Sequence, residues 1–370
     1  MSTDLDELRA RLDALDDEVL AIVGRRLEIV AEIAQVKRSA DRPVRDAGRE
    51  GEIRERLAAT AARRGVPPNL AGGLIDILLR ASLEVQEHDR VSARNWGAGR
   101  RALVIGGAGR MGRWFVRFLD AQGFFVTVAD PAGPVSGHEH IADWREAREG
   151  ADLIVVAAPL GATASILRDM ASRPPRGLVF DVGSLKSPLR GALHALAATG
   201  CRVTSVHPMF GPDAELLSGR HVIFVDVGVP AATAEARALF APTLAALVDM
   251  SLDEHDRLIG YVLGLSHALS IAFFTALAGS GVDAEDLARI SSTTFDAQLE
   301  VSGRVARENP RLYFEIQHLN EHGLAPLAAL RQAVEAVVSK VEAGDEDGFV
   351  ALMTTGREYL KSLRHRGAAV

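Results

Sequence analysis

The sequence predicts a multidomain protein: an all-α helical N-terminal domain, then an α/β domain built on a doubly wound sheet, then an all-α C-terminal domain. Three observations predict it. Apolar residues recur in alternating steps of three and four from Leu5 onward; the stretch Leu103-Val-Ile-Gly-Gly-Ala-Gly-Arg-Met-Gly112 joins an apolar run to a glycine cluster and then to an amphipathic segment; and after Ser251 the pattern is helical throughout. Boundaries fall at 1–90, a linker at 91–100, 101–248 and 249–370.

Composition sets the outer limits. A chain of 370 residues with 48% hydrophobic content has the length of two or three globular domains. A net charge of −7 gives no support for a nucleic-acid or membrane-surface role, and an anionic substrate would need local basic pockets. The single cysteine, Cys201, excludes an intrachain disulfide framework and a cysteine metal cluster, and no metal is expected. The first residues, Ser2-Thr-Asp-Leu-Asp-Glu7, are acidic, and no stretch approaches the about 20 apolar residues of a membrane span, so the cytoplasm is the expected location.

Leu5, Leu8, Leu12, Leu15, Val19, Ile22, Ile29, Ile33 and Val36 form a heptad seam on a helix from about Asp4 to Arg38. At 1.5 Å per residue it is about 50 Å long and needs a partner to cover it. Helices from Asp46 to Arg64 and from Pro68 to Asp89 follow. Arg26 breaks the seam, and a buried guanidinium calls for an anion. Lys37, 11 residues on, lies about 20° away around the helix. Arg9, 17 residues before Arg26, is roughly 25 Å off and about 100° out of phase. One small ligand meets both arginines only if Arg9 comes from a second, antiparallel chain, which predicts an intertwined homodimer with shared sites.

Arg9, Arg26, Lys37, Arg42-Pro-Val-Arg-Asp46, Arg49-Glu50 and Gln86 resemble the all-helical chorismate mutase family over about residues 1–90. The resemblance implies that the cations hold the two carboxylates of chorismate and that Lys37 and Gln86 contact its ether oxygen. Glu50 would accept from the ring hydroxyl, while Asp46 and Arg49 complete the polar shell. Those residue types suit a Claisen rearrangement, which needs no nucleophile and no proton transfer, only a compressed dianion and a stabilised ether oxygen.

From His88 to Arg100 the helical pattern gives way to Asn95-Trp-Gly-Ala-Gly99, a short linker. Gly107, Gly109 and Gly112 then fit G-x-G-x-x-G: the first for the turn, the second for close approach to a pyrophosphate, the third for packing of helix on strand. Phe124 to Ala129 reads as the next strand, and Asp130, 18 residues after Gly112, stands where a carboxylate receives both ribose hydroxyls. That carboxylate would repel a 2′-phosphate, so NAD is expected, held by Gly107, Gly109, Arg110, Met111, Gly112 and Asp130. Ala151–Ala158, Gly177–Asp181, Cys201–Val206 and His221–Asp226 read as further strands, completing a Rossmann-like domain. Ligands of such sheets lie beyond the carboxyl ends of the strands, where Asp181-Val-Gly-Ser-Leu-Lys186 and His207-Pro-Met-Phe-Gly-Pro212 leave theirs. His207 is therefore the candidate base for alcohol oxidation, active as neutral imidazole.

The C-terminal part opens on an acidic cap region, Asp253-Glu-His-Asp256, and a long apolar segment from Leu258 to Ala278. His267 within it is either a core residue or a site-lining one. Arg304, in Leu299-Glu-Val-Ser-Gly-Arg304, is placed to grip a carboxylate bidentately. The glycine turn, Gly183-Ser184, His207-Pro-Met-Phe-Gly-Pro212, Val301-Ser-Gly-Arg304 and the helical tail resemble prephenate dehydrogenase over about residues 101–365. This implies that His207 takes the proton of the ring 4-hydroxyl, Arg304 binds a substrate carboxylate and Ser184 orients hydroxyl and histidine, with Lys186 a weaker assignment. Some members carry a second histidine where Ser270 stands.

Across its full length the chain resembles the bifunctional chorismate mutase/prephenate dehydrogenase family of tyrosine biosynthesis, which implies conversion of chorismate to prephenate and then, with NAD, to 4-hydroxyphenylpyruvate. The rival readings are an arogenate or other 3-hydroxyacid-type dehydrogenase whose N-terminal helices only dimerise, and an NAD-sensing regulator, which leaves Arg26 unexplained.

Overall fold

The computed structural model describes residues 4–147 and 150–367; Ser2 and Thr3 of the acidic start lie outside them. The chain divides into two compact units, one running up to Ser184 and resuming over Leu189–Ser251, the other made of Leu185–Pro188 and the residues from Leu252 on.

In the first unit, α1 (Leu5–Ser39) begins where the Asp4 carboxylate accepts from the Asp6 N–H, with Asp6 and Glu7 in its first turn and Lys37 and Arg38 in its last. Those charges complement the helix dipole at both ends. Val30 and Ala34 are the buried residues of α1, which packs along α3 (Pro68–Arg94). The heptad seam is a different stripe: Leu8, Leu12, Leu15, Val19, Ile22, Ile29, Ile33 and Val36 are all exposed in the single chain. Between these helices, α2 (Ala47–Arg63) is capped by Asp46, whose carboxylate accepts from the Arg49 N–H at 3.0 Å.

Helix α3 runs five residues past the Asp89 expected from the pattern, ending at Asn95 in the left-handed region with φ 44°. Burial of Val91 in the sheet's apolar core extends it. The segment read as a linker is a packed joint: the Gly97 N–H donates to the Gln122 carbonyl at 2.8 Å, and the Arg100 guanidinium lies 4.3 Å from the Trp96 ring centre. A Cβ on Gly97 would meet Phe124 Cδ2 at 2.3 Å, so no other residue fits without displacement. Glu87 of α3, 4% exposed, accepts from the N–H groups of Leu217, at 2.8 Å, and of Leu244. Burial pushes its carboxyl upward, and the two backbone donors oppose that rise.

The sheet has eight strands in the order β3-β2-β1-β4-β5-β6-β7-β8. They are β1 (Arg101–Ile105), β2 (Phe125–Ala129), β3 (Glu139–Ile141), β4 (Leu153–Val156), β5 (Leu178–Asp181), β6 (Val203–Pro208), β7 (His221–Val225) and β8 (Ala246–Met250). The first six are parallel, whereas β7 runs antiparallel to β6 and carries β8 with it. The reversal, unforeseen in the sequence, follows from the lack of a helix between Pro208 and His221, since a parallel return needs a crossover. Strands β3 and β8 also escaped the sequence reading: one has three half-exposed residues and the other is only half-buried, so neither carries an apolar run. Helices α4 (Arg110–Ala121), α5 (Leu160–Ser172), α6 (Arg190–Ala198) and α7 (Pro230–Phe240) connect the strands. Phe118 of α4 stacks on Phe240 of α7 at 5.0 Å, at the centre of an aromatic core with Phe115, Phe180 and Phe224.

The second unit is helical. Helix α8 (Leu252–Ile259), a π-turn (Gly260–Leu265) and α9 (Ser266–Gly279) are continuous, followed by α10 (Ala284–Arg289), α11 (Thr293–Ala306), α12 (Pro310–His318), α13 (Leu324–Ala343) and α14 (Glu346–Gly367). Leu252–Gly279 corrects the expectation that no segment reaches membrane-spanning length: by length and composition it does, and most of it is unburied in the single chain. The acidic start had masked the length of the apolar run behind it.

Candidate active sites

Helices α1 and α3 meet at Arg26. Its Nη1 donates to the Leu78 carbonyl at 2.9 Å and to Ser82 Oγ at 2.7 Å, and burial lowers its pKa. The guanidinium is thus held by a carbonyl and a hydroxyl rather than by the anion that its position seemed to demand. Ser82 was overlooked in the sequence, although it precedes Gln86 by four residues and so shares its face of α3. Gln86, 8% exposed, donates from Nε2 to the Ser82 carbonyl at 3.0 Å, and its buried Oε1 has no partner among the described residues. Lys37 Nζ donates to the Val44 carbonyl at 2.6 Å, fixing the turn into α2. Lys37, Gln86 and Arg42 line one small cavity of about 60 Å³. At the start of α2, Glu50 pairs with Arg45 at 3.3 Å, and the exposed Arg49 pairs with Glu52 at 2.8 Å. Arg9 is 66% exposed, paired with Asp6 at 3.2 Å, and stands far along α1 from Arg26.

Beyond β1 the glycines divide their work differently from the expected pattern. Gly106, with φ +79°, makes the turn. Gly107, expected there, instead packs where a Cβ would lie 2.8 Å from Val128 Cγ1. Gly112 fulfils its packing role, since a Cβ would come within 2.0 Å of the Gly106 carbonyl. Gly109 opens α4 with no side chain capping it, leaving the first N–H groups open to an anion. The Asp130 carboxylate, at the end of β2, accepts from the N–H groups of Ala108 at 3.0 Å and Ala132 at 2.8 Å. Each oxygen keeps a further lone pair for a ribose hydroxyl. Met111 packs on the core, and Arg110 reaches Asp213 at 3.1 Å on the surface. This cradle fits a dinucleotide.

His207 is 3% exposed and lies within β6, opposite Ile223, rather than just beyond the strand. The following segment is held by the Trp114 indole, which donates to the Ala214 carbonyl at 2.8 Å. Past β5, Gly183 N–H donates to the Asp181 carboxylate at 2.9 Å, and Ser184 comes next. In the second unit, the fully buried Asp256 anchors Leu185–Pro188: it accepts from Lys186 N–H at 2.9 Å, from Ser187 N–H and Oγ, and from His255 Nδ1 at 2.6 Å. Burial favours the acid, but those donors outweigh it and hold Asp256 below the usual carboxylate range. The sequence reading took Asp256 only for part of an acidic cap region; its place before the apolar run, next to a histidine, was the available signal. Replacing it with Asn should cost about 3–5 kcal/mol in denaturant unfolding, because buried donors lose a charged acceptor. A pKa below its unfolded value stabilises fully above the unfolded pKa and is lost as pH falls through the folded one. The wild-type chain should therefore lose more stability on acidification than Asp256→Asn does; parallel acid limbs would refute this.

The same unit holds His267, whose ring lies 4.3 Å from that of Tyr313; its Nδ1 is buried without a partner among the described residues, and burial lowers its pKa. It is a neutral imidazole at neutral pH. Tyr313 was not singled out in the sequence, though it opens α12 just after Asn309-Pro310. Ser270 is buried and donates to the Ser266 carbonyl at 3.1 Å. Arg304 is 70% exposed and pairs with Glu300, one turn earlier on α11.

Comparison with known proteins matches residues 8–87 to the type II chorismate mutase family, residues 137–242 to the nucleotide-binding domain of prephenate dehydrogenase, and residues 251–355 to its dimerization domain. The T-protein of Enterobacter agglomerans is 28% identical over 359 residues, 95% of this chain and 91% of that protein. The 4-amino-4-deoxyprephenate dehydrogenase of Streptomyces pristinaespiralis is 31% identical over 275 residues, 70% of this chain and 91% of that one. The crystal structure of A. aeolicus prephenate dehydrogenase with hydroxyphenyl propionate and NAD+ aligns with a TM-score of 0.57 at 19% identity, covering 73% of this chain and 98% of that chain.

Proposed function

We propose, for a chain that belongs to the prephenate dehydrogenase family and carries a type II chorismate mutase domain ahead of it, two successive reactions on one cyclic diacid. Chorismate is rearranged to prephenate at the α1–α3 site, and prephenate is oxidised and decarboxylated to 4-hydroxyphenylpyruvate at the sheet. The observation that carries the reading is Arg26 held by Ser82, with Gln86 one turn further along α3 lining a cavity with Lys37, in one chain with the Gly106–Gly112 turn and Asp130.

In the first reaction Arg26, with Arg9 of a second copy, holds the two carboxylates, while Lys37 and Gln86 donate to the ether oxygen as its C–O bond breaks and the C–C bond forms. Glu50 accepts from the ring hydroxyl, and Asp46 and Arg49 complete the polar shell. In the second, His207 takes the proton of the 4-hydroxyl, Ser184 orients that hydroxyl, and Arg304 binds a carboxylate. NAD, held against Gly109–Gly112 and Asp130, supplies the hydride acceptor. Loss of carbon dioxide then aromatises the ring. The uncovered seam of α1 and the apolar α8–α9 helix support a homodimer, working in the cytoplasm.

Purified protein mixed with chorismate and NAD should consume chorismate and form NADH, and chorismate loss should persist without NAD. Chorismate left intact would favour the 3-hydroxyacid-type reading; NAD bound but never reduced would favour the sensor. The kinship with an enzyme named for the 4-amino-4-deoxy analogue supports a second substrate reading, because the Glu50 carboxylate suits a ring ammonium as well as a hydroxyl. The kcat/KM values for the hydroxy and amino substrates decide between them. Arg304→Ala should raise the KM for prephenate about tenfold or more, the loss of a charge-assisted bond of about 1.5–3 kcal/mol, with kcat little changed. An unchanged KM would take Arg304 out of the pocket.

A further inference from the structure

Next to the mutase cavity the first unit holds a larger recess of about 330 Å³. Its walls are the end of α1 with Arg38 and Asp41, the last turns of α3 with Arg90 and Arg94, and Ala241-Pro242 after α7. Arg38, Asp41 and Arg90 line both this recess and the small cavity of Lys37 and Gln86, so the two adjoin.

The charges of the pair are lopsided. Lys37, Arg38, Arg42, Arg90 and Arg94 face only Asp41 and Asp89, in a chain whose net charge is −7. Arg38 is paired with Asp89 at 3.2 Å. Arg90 and Arg94, one helical turn apart on α3, have no carboxylate partner among the described residues, whereas Arg9, Arg45, Arg49 and Arg54 of the same helical segment each have one. A molecule of this net charge repels a dianion at long range, and a recess lined with cations is what reverses the field locally.

We propose that this recess is a capture site for small cyclic dicarboxylates, Arg90 and Arg94 drawing the mutase's dianionic substrate toward Lys37 and Gln86 and receiving its dianionic product on the way out. The proposal rests on the mutase reading of the α1–α3 site and adds to it a binding surface outside the reacting groups. Arg90 and Arg94 are not catalytic residues in this scheme: they act on encounter, and kcat does not depend on them.

The test uses the full chain and two double variants, Arg90→Ala with Arg94→Ala, and Arg90→Lys with Arg94→Lys. At low ionic strength the alanine pair should lower the mutase kcat/KM on the order of tenfold with kcat unchanged, while the lysine pair, which keeps the charge, stays near wild type. In 1 M salt, where the Debye length is about 3 Å, the difference should vanish. Equal kcat/KM at low salt, or a deficit that survives in 1 M salt, would overturn the proposal. Product inhibition by prephenate separates the two sources of dicarboxylate: its inhibition constant should rise in the alanine pair, and an unchanged constant would overturn the outbound half. Equilibrium binding of prephenate at low salt needs no turnover. Weaker binding by the alanine pair in a chain that consumes no chorismate would sustain the recess while refuting the mutase reading, and equal binding would refute the recess itself.

Discussion

His207→Asn is expected to lower dehydrogenase turnover by about 10²–10⁴-fold while mutase activity and NAD affinity stay as in the wild type. The size of the effect follows from the removal of the only proton acceptor assigned to the 4-hydroxyl. Its selectivity follows from position. His207 lies in β6, whereas the dinucleotide cradle is built from the β1–α4 turn and the end of β2, three and four strand positions away in the sheet order, and the mutase residues lie on α1 to α3. Asparagine is close to histidine in size and polar, so the buried strand position, 3% exposed, is filled without a large cavity. Steady-state NADH formation from prephenate and a fluorescence titration with NAD measure the two quantities; normal turnover would remove His207 from the mechanism.

Arg26→Ala should cut the mutase rate by about 10²–10³-fold and leave oxidation of supplied prephenate intact. A cation fixed in advance by the Leu78 carbonyl and Ser82 Oγ stabilises charge without reorganising. The same two bonds join α1 to α3, so part of the loss could come from a loosened helix pair. Arg26→Lys distinguishes the causes: it keeps the charge but not the fork, and should recover stability more fully than activity. Thermal unfolding followed beside chorismate consumption makes the comparison, and a mutase rate retained in Arg26→Ala would refute the role given to Arg26.

What was legible in the sequence was local in origin. The spacing of Leu8, Leu12 and Leu15 announces a helix because a period near 3.6 has no other use, and the glycines before Arg113 announce a turn between strand and helix. Gly112 declares itself for the same reason, as a point of close approach. What escaped depends on partners distant in the chain. Ser82 matters through a guanidinium 56 residues away, and Asp256 through backbone donors 69 and 70 residues away, neither of which leaves a periodic trace. The antiparallel β7 was missed because strand direction is set by the connection and not by the strand's own residues. Gly106 was passed over because it stands one residue ahead of the fingerprint's first glycine, and only its φ shows that it makes the turn.

Glu87 follows Gln86 directly on α3, and its two oxygens are taken up by main-chain amides of the nucleotide-binding half. Cutting the chain after Arg94 would hand one fragment a solvated carboxylate and a bare Val91, and the other two unmet amide donors beside an open aromatic core. The mutase is therefore grafted rather than tethered. Its third helix belongs to both enzymes at once, and transplanting either half into another fusion would require carrying the glutamate and its two amides together.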